Sequence, residues 1–330
     1  MPLAMPCSMT ILLSEPAPSS TVGTSDLLDD LLLVGRYLLG DGYRFTTVTP
    51  ASHARVLARA GQRSGTSLRD VFGWNLPFKA DVLPQRIFAQ LFAGGLVVAQ
   101  GGLFRSTVRF SSIDSRLYVH DAYPTLAPDA VFFGPDTYRF TTAVNSFLRP
   151  CELLVDVCCG GGAGGIEAGV AIAERVVLAD INPKALAFAE ANYLLAGNST
   201  AILHEADLLA GIDLRPDAII ANPPYLVDPL ARTYRDGSGM LGTGLALRIV
   251  EESISLLAPG GQLLLYTGSP IVDGMDGFAA AALSLAWAAG CAVEYEEVDP
   301  DVFGEELDNP AYAAVDRIAV VVLSLTTPSL

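Results

Sequence analysis

Cysteine and histidine are scarce in this chain. Its 330 residues include five cysteines (Cys7, Cys151, Cys158, Cys159 and Cys291) and three histidines (His53, His120 and His204). The cysteine number is odd, Cys158 and Cys159 are adjacent, and no Cys-x-x-Cys pair occurs. This argues against a disulfide scaffold and a thiolate zinc site, and it fits a reducing cytoplasm. No metal site is expected, and the histidines read as packing or surface residues. No uninterrupted apolar run reaches the roughly 18–20 residues that cross a bilayer, so no membrane partner is expected. Residues 1–24 are rich in Ser, Thr, Pro and Met and carry no basic segment. They read as a disordered lead rather than a signal peptide.

Positive charge is also scarce, and unevenly so. Residues 1–150 hold 13 Lys and Arg against 11 Asp and Glu, or +2; residues 151–330 hold 7 against 25, or −18; the sum is the chain's −16. The second half repels polyanions at long range. The first half carries Arg36, Arg44, Arg55, Arg59, Arg63 and Arg69. Those arginines suit a solvated helix face better than a phosphate-contacting surface.

What is abundant is apolar pattern. Leu-rich 25–39, then 51–61, 67–74 and 81–92 read as helices, and 96–98, 106–111 and 116–120 as short strands with tight turns. Helices followed by a hairpin predict a mainly helical, winged-helix-like accessory domain over 25–125 that positions substrate. From residue 126 the pattern is α/β. A helix from about 136 to 148 precedes alternating strands (153–157, 176–180, 201–204, 217–221, 262–266, 292–298, 317–325) and helices (166–174, 183–195, 244–257, 278–289). No helix separates the last two strands, so the final strand is expected antiparallel.

The chemistry-bearing residues fall at strand ends. Asp217-Ala218-Ile219-Ile220-Ala221 is followed by Asn222-Pro223-Pro224-Tyr225. Two prolines cannot donate to a ladder, so the strand stops there. The Asn222 amide oxygen and the Pro223 carbonyl are two acceptors beside a Tyr ring, a set that suits a planar NH2 group. Upstream, Asp156-x-Cys158-x-Gly160-x-Gly162 links a strand to a helix, and Asp180 ends the next strand. A glycine turn lets backbone approach a ligand, and a distal acid can accept ribose hydroxyls. A nucleotide-type cofactor follows, with nicotinamide sites sharing these features.

The ordered set Asp156-Val-Cys-Cys-Gly-Gly-Gly, Ala179-Asp180-Ile-Asn-Pro with Asn192, Glu205-Ala-Asp207 and Asn222-Pro-Pro-Tyr225 resembles class I S-adenosylmethionine (SAM)-dependent methyltransferases of the Asn-Pro-Pro-Tyr type. The "small methyltransferase domain" group and the release-factor glutamine methyltransferases are similar over roughly residues 130–325. The resemblance implies a seven-stranded Rossmann-like sheet over 126–330. It implies that Asp156, Gly160 and Gly162 surround the cofactor's methionine part, Asp180 the ribose and Asp207 the adenine amine. Cys158, Ile181, Leu208 and Asn222 complete the expected cofactor set. Cys158 and Cys159 read as packing, not nucleophiles. The resemblance places Asn222, Pro223, Pro224 and Tyr225 on the target nitrogen. The first 130 residues do not match the short helical domain of the glutamine enzymes.

The expectation is a SAM-dependent N-methyltransferase. The −18 of the catalytic half and the acidic segment 299–308 favour a small cationic or amino-acid-like substrate, with Asp236, Asp301, Glu305 and Asp308 as contacts and 237–244 as a flexible lid. A protein glutamine and an rRNA or DNA base amine are the alternatives, and a non-catalytic SAM-binding regulator is a further one.

Overall fold

The computed structural model describes residues 24–60, 64–199 and 201–329; all of the expected lead but Thr24 lies outside them. The N-terminal part contains α1 (Thr24–Gly40), α2 (Pro50–Ala60) and α3 (Gln85–Ala93), then the hairpins β1 (Val97–Gln100) with β2 (Leu103–Ser106) and β3 (Val108–Ile113) with β4 (Arg116–Asp121). A helix α4 (Pro135–Phe147) leads into β5 (Cys151–Val157), α5 (Ala163–Ala171), β6 (Ala173–Asp180), α6 (Pro183–Leu195), β7 (Ile202–Glu205) and β8 (Ala218–Ala221). After a one-turn α7 (Gly239–Gly242) come α8 (Gly244–Leu256), β9 (Gln262–Val272), β10 (Met275–Asp276), α9 (Gly277–Ala288), β11 (Ala292–Asp299) and β12 (Arg317–Thr326).

The main sheet runs β11-β12-β9-β8-β5-β6-β7, with β10 added on β9. Five strands, β9, β8, β5, β6 and β7, are parallel. The final strand, β12, is antiparallel to both neighbours, as expected. The chain starts at the centre, moves outward through β6 and β7, and returns to β8 on the other side of β5. The carboxyl ends of β5 and β8 therefore flank the crevice where ligands bind in open α/β sheets.

Strand period two sorts the core. Val155, Val157, Leu263 and Leu265 join Ala246, Ile249 and Val250 of α8 and Phe278 and Ala282 of α9 in one apolar layer. Leu154, Leu264 and Tyr266 join Phe140 and Val144 of α4 and Ala168 of α5 in the other. Both faces are covered, which is why these strands read as continuous apolar runs.

Several elements differ from the pattern reading: the helix expected over 67–74 is a single turn, Arg69–Gly73, the helix expected over 81–92 starts at Gln85 after Pro84, and Leu103–Ser106 is a strand that the pattern did not mark. The helix expected over 166–174 ends at Ala171, because Ala173 pairs with Cys151 in the sheet. Ala-Glu-Arg is a good helical tripeptide by itself, but the ladder overrides that preference. The strand expected over 262–266 continues to Val272, because Thr267-Gly268-Ser269-Pro270 pairs along β12.

The N-terminal part does not stand apart. Leu31, Val34 and Leu38 of α1 share one core with Ala185, Phe188, Ala191 and Leu195 of α6. Gly35 sits where a Cβ would overlap Leu195, so glycine sets how closely the two helices approach. Arg116 of β4 forms an ion pair with Glu167 of α5, which is buried and also accepts from Tyr118. In outline this is helices followed by hairpins, but β3 and β4 are largely buried rather than projecting as a wing.

Candidate functional site

The parallel strands β5, β6, β7 and β8 all deliver their last residues to one edge of the sheet. At β5, Cys158 (φ 56°), Gly160 (φ 54°) and Gly162 (φ 78°) turn the chain into α5. A Cβ at Gly160 would meet nothing within 4 Å, so the turn is open on its outer side. Asp156 is buried. One carboxylate oxygen accepts the Gly165 N–H at 2.7 Å, and the other has no hydrogen-bond partner. Burial, and secondarily the nearby Asp180 carboxylate, pushes its pKa up to about 7, against the Gly165 N–H, which lowers it. An orphaned acceptor beside an open glycine turn fits the amine end of the SAM methionine part.

Asp180 at the end of β6 is also raised by burial, while backbone N–H groups pull it down. Its two oxygens accept from Gly160 N at 2.8 Å and Asn182 N at 2.9 Å, so it holds the glycine turn in place. Ile181 beside it is 57% exposed, an apolar surface at the cofactor edge. Asp207 pairs with Arg248, which also reaches Glu252. Leu208 is buried in a left-handed conformation (φ 55°). The Cys158 and Cys159 thiols are pushed well up, first by burial and then by Asp180, which keeps them protonated and unreactive.

Asn192 is the link that pattern reading placed in the motif without a role. It is fully buried. Its oxygen accepts from Val119 N at 2.7 Å, and its amide donates to Gly161 O at 2.8 Å and Val119 O at 3.2 Å. One side chain on α6 thus ties the glycine turn to β4.

At β8, Asn222 is partly exposed, and its amide makes no hydrogen bond among the described residues. Pro223 is buried and Pro224 half-buried. Tyr225 is 7% exposed. Its hydroxyl donates to Asp136 at 2.5 Å, and its ring lies 6.0 Å from Phe303. Burial, with Asp136 next, pushes the Tyr225 hydroxyl well above the usual range, so it remains a donor. Asp136 also accepts from Tyr266 and pairs with Arg139. Gly268 of β9 lies where a Cβ would overlap the Tyr225 ring. Asp136, Tyr266 and Gly268 escaped sequence reading. The strand was ended before Gly268, and nothing in a sequence pairs residue 136 with 225.

The segment after Tyr225 is stapled. Asp228 accepts bidentately from Arg232 (2.7 Å twice), and that guanidinium holds its pKa down to about 2. The Gly-rich stretch expected as a flexible lid is pressed against this segment: a Cβ at Gly242 would overlap the Tyr225 carbonyl. Asp236 is half-buried, its Oδ1 accepting from Asp228 N at 3.4 Å.

The carboxylates of the acidic segment divide into two that are ion-paired and three that face solvent. Asp299 pairs with Arg139, and Glu306 pairs with Arg235. Asp301, Glu305 and Asp308 are exposed. The inward groups are Phe303, against Tyr225, and Tyr312, whose hydroxyl accepts from Val227 N at 2.8 Å. Arginines of the same chain use part of the acidic charge, and the loop's contact with the site is aromatic.

Residues 144–271 match the family described as "Methyltransferase small domain". The release factor glutamine methyltransferase of Moorella thermoacetica is 33% identical over 197 residues, covering 55% of this chain and 66% of that protein. That of Deinococcus radiodurans is 33% identical over 168 residues, covering 48% and 56%. The chain thus spans about half to two thirds of the length of these relatives. Among solved structures, Trm5b from Pyrococcus abyssi is similar at 19% identity and TM-score 0.49, over 70% of this chain and 62% of that one.

Proposed function

Because residues 144–271 belong to a class I S-adenosylmethionine-dependent methyltransferase domain of the small-domain type, we propose that this protein transfers the methyl group to a planar nitrogen, and that its acceptor is a side-chain amide of a protein. The observation that carries this reading is Asn222, which is partly exposed and whose amide makes no hydrogen bond among the described residues, at the carboxyl end of β8. The relatives that match are named for glutamine methylation of release factors, which supports a carboxamide acceptor. The matching relatives, named for methylation of a protein, give no support to the small cationic substrate that composition favoured.

SAM supplies a methyl group on a sulfonium, ready for in-line displacement. The protein's own residues do the rest. An amide nitrogen is a poor nucleophile because its lone pair is delocalised into the carbonyl. The Asn222 side-chain oxygen and the Pro223 carbonyl accept its two N–H groups and fix its plane. These contacts strengthen as positive charge builds on nitrogen, so they favour the transition state over the bound substrate. Tyr225, tethered by Asp136, fixes the backbone that carries both acceptors. Alignment of this kind supplies up to about 7–11 kcal/mol in well-ordered cases. Asp156, Asp180, Ile181 and the glycine turn hold the cofactor, with Asp207 and Arg248 at its far edge.

The test is methyl transfer from labelled SAM into a cell extract separated into protein, nucleic-acid and small-molecule fractions. Label is expected in protein, at glutamine. Label confined to the small-molecule or nucleic-acid fraction would overturn the acceptor. Asn222→Ala is expected to abolish transfer while leaving cofactor affinity nearly intact; loss of both would count against the role given to Asn222.

A further inference from the structure

The N-terminal part holds a cavity of about 290 Å³ that no residue of the methyl-transfer edge lines. That volume is close to the roughly 300 Å³ at which small-molecule sites begin. One wall is a face of the β1–β2 hairpin, with Val98 and Arg105; the other is the segment 121–130, with Tyr123, Pro124 and Leu126. Val98 and Arg105 are directly opposite in the hairpin register, so their side chains leave the same face.

Arg105 reaches from one wall to the other. Its Nε donates to the Asn75 side-chain oxygen at 3.0 Å and the Asn75 carbonyl at 3.2 Å, and its Nη2 donates to the Tyr123 carbonyl at 3.0 Å. Asn75 and Tyr123 line the same cavity, so the guanidinium is held among its lining groups. Asn75 is fully buried, with its amide fixed on the Ser106 carbonyl at 2.8 Å. The orientation of the cation is therefore set before any ligand arrives. The other terminal nitrogen, Nη1, has no hydrogen-bond partner among the described residues and is not buried.

The charge is also unmatched. Burial pushes the Arg105 pKa down, and no carboxylate acts against it. The carboxylate that lines the cavity, Asp121, is already engaged: Lys184 Nζ donates to its two oxygens at 2.7 and 2.8 Å, and Val131 N donates at 2.6 Å. The rest of the lining is mainly apolar. Val98 and Leu126 are 44% and 65% exposed, and the Tyr123 ring is backed by His53, with centroids 4.3 Å apart. Exposed large apolar side chains around a concave space mark a place where a ligand removes them from water.

We propose that this cavity binds a carboxylic acid with a branched or aromatic body, the carboxylate meeting Arg105 and the body lying between Val98, Tyr123 and Leu126. A fixed guanidinium with an open N–H gives a charge-assisted hydrogen bond to a carboxylate. A cationic ligand would meet Arg105 with Asp121 already neutralised. A bare small anion would leave the apolar walls wet. The same chemistry occurs in a free acid and at the end of a peptide whose last residue is apolar. The site stands on the N-terminal part and does not depend on the methyl-transfer reading.

The experiment is equilibrium dialysis of the full chain at neutral pH against four radiolabelled probes: N-acetyl-leucine, N-acetyl-leucinamide, acetate and a short N-blocked peptide ending in a free leucine carboxylate. The expected result is saturable binding of N-acetyl-leucine or of the peptide, with the leucinamide and acetate each weaker by roughly tenfold or more. Whichever of the two acids binds more tightly names the source, and either supports the site. No saturable binding of either acid, or equal affinity for the leucinamide or for acetate, overturns it. Leu126→Asp sets a like charge at the exposed lip and is expected to weaken binding roughly tenfold or more, with an unchanged near-ultraviolet circular dichroism spectrum. Arg105→Lys, which keeps the charge but not the fork, is expected to act in the same direction. Undiminished binding in Leu126→Asp also overturns the proposal.

Discussion

Removing the Asn192 side chain tests whether the glycine turn is held from the N-terminal part. Asn192→Ala deletes hydrogen bonds to Val119 N, Val119 O and Gly161 O, all made by a fully buried group. Each bond contributes about 1 kcal/mol net, and a buried donor left orphaned costs about 1–3 kcal/mol more. Val119 N–H is such a donor, because Asn192 rather than β3 satisfies it. The loss should total roughly 4–6 kcal/mol, a large share of the roughly 5–15 kcal/mol typical of a folded protein. Asn192→Asp is the sharper variant. It keeps the acceptor for Val119 N but aims a charged oxygen at two carbonyls, so it should be at least as damaging as alanine despite equal size. Urea unfolding measures both: the midpoint should fall with little change in slope. SAM titration should show roughly tenfold weaker binding, about 1.4 kcal/mol, because Gly161 is no longer anchored. A stability loss under 1 kcal/mol for alanine, or an aspartate variant as stable as wild type, would refute the clamp.

Other expectations follow from the same geometry. The folded pKa of Asp156 is raised from 3.8 to about 7. Its contribution to stability is therefore fully present below about pH 4 and lost as pH rises toward 7, by up to about 4 kcal/mol in the cofactor-free protein. Urea unfolding across that window should show the decline, and Asp156→Asn should flatten it. Tyr225→Phe removes the donor to Asp136 and should lower kcat several-fold with SAM affinity unchanged, as read by steady-state kinetics beside calorimetry. Gly268→Ala drives a methyl into the Tyr225 ring and should lower transfer more than Tyr225→Phe does, with a change in near-ultraviolet circular dichroism. An alanine at 268 that leaves kcat intact would show that the Tyr225 ring position is unimportant.

Much of the sheet was legible because buried parallel strands are apolar runs bounded by glycine and proline, as at Leu153–Val157 and Ala218–Ala221. The strand ends were legible for the same reason: Gly160, Asp180 and Asn222 each follow an apolar run that they break. Three kinds of feature were not. Residues joined across long sequence distances, such as Asp136 with Tyr225 and Asn192 with Gly161, leave no local trace. Gly268 and Pro270 mimic a turn inside a strand whose length is set by its partner β12. Charge counts over 299–308 overstated an acidic surface, because Arg139 and Arg235 lie elsewhere in the chain and meet it only in the fold.

The shared core of α1 and α6 also bears on how the chain is made. Leu31, Val34 and Leu38 leave the ribosome early, but their cover of Ala185, Phe188, Ala191 and Leu195 is synthesised only with α6. At 5–20 residues per second that is a wait on the order of ten seconds. During it the nascent N-terminal part carries an uncovered apolar stripe, open to aggregation or to a chaperone. Its completion therefore waits on the segment that also frames the cofactor, and a stalled or truncated product ending before residue 183 would be left with that stripe exposed.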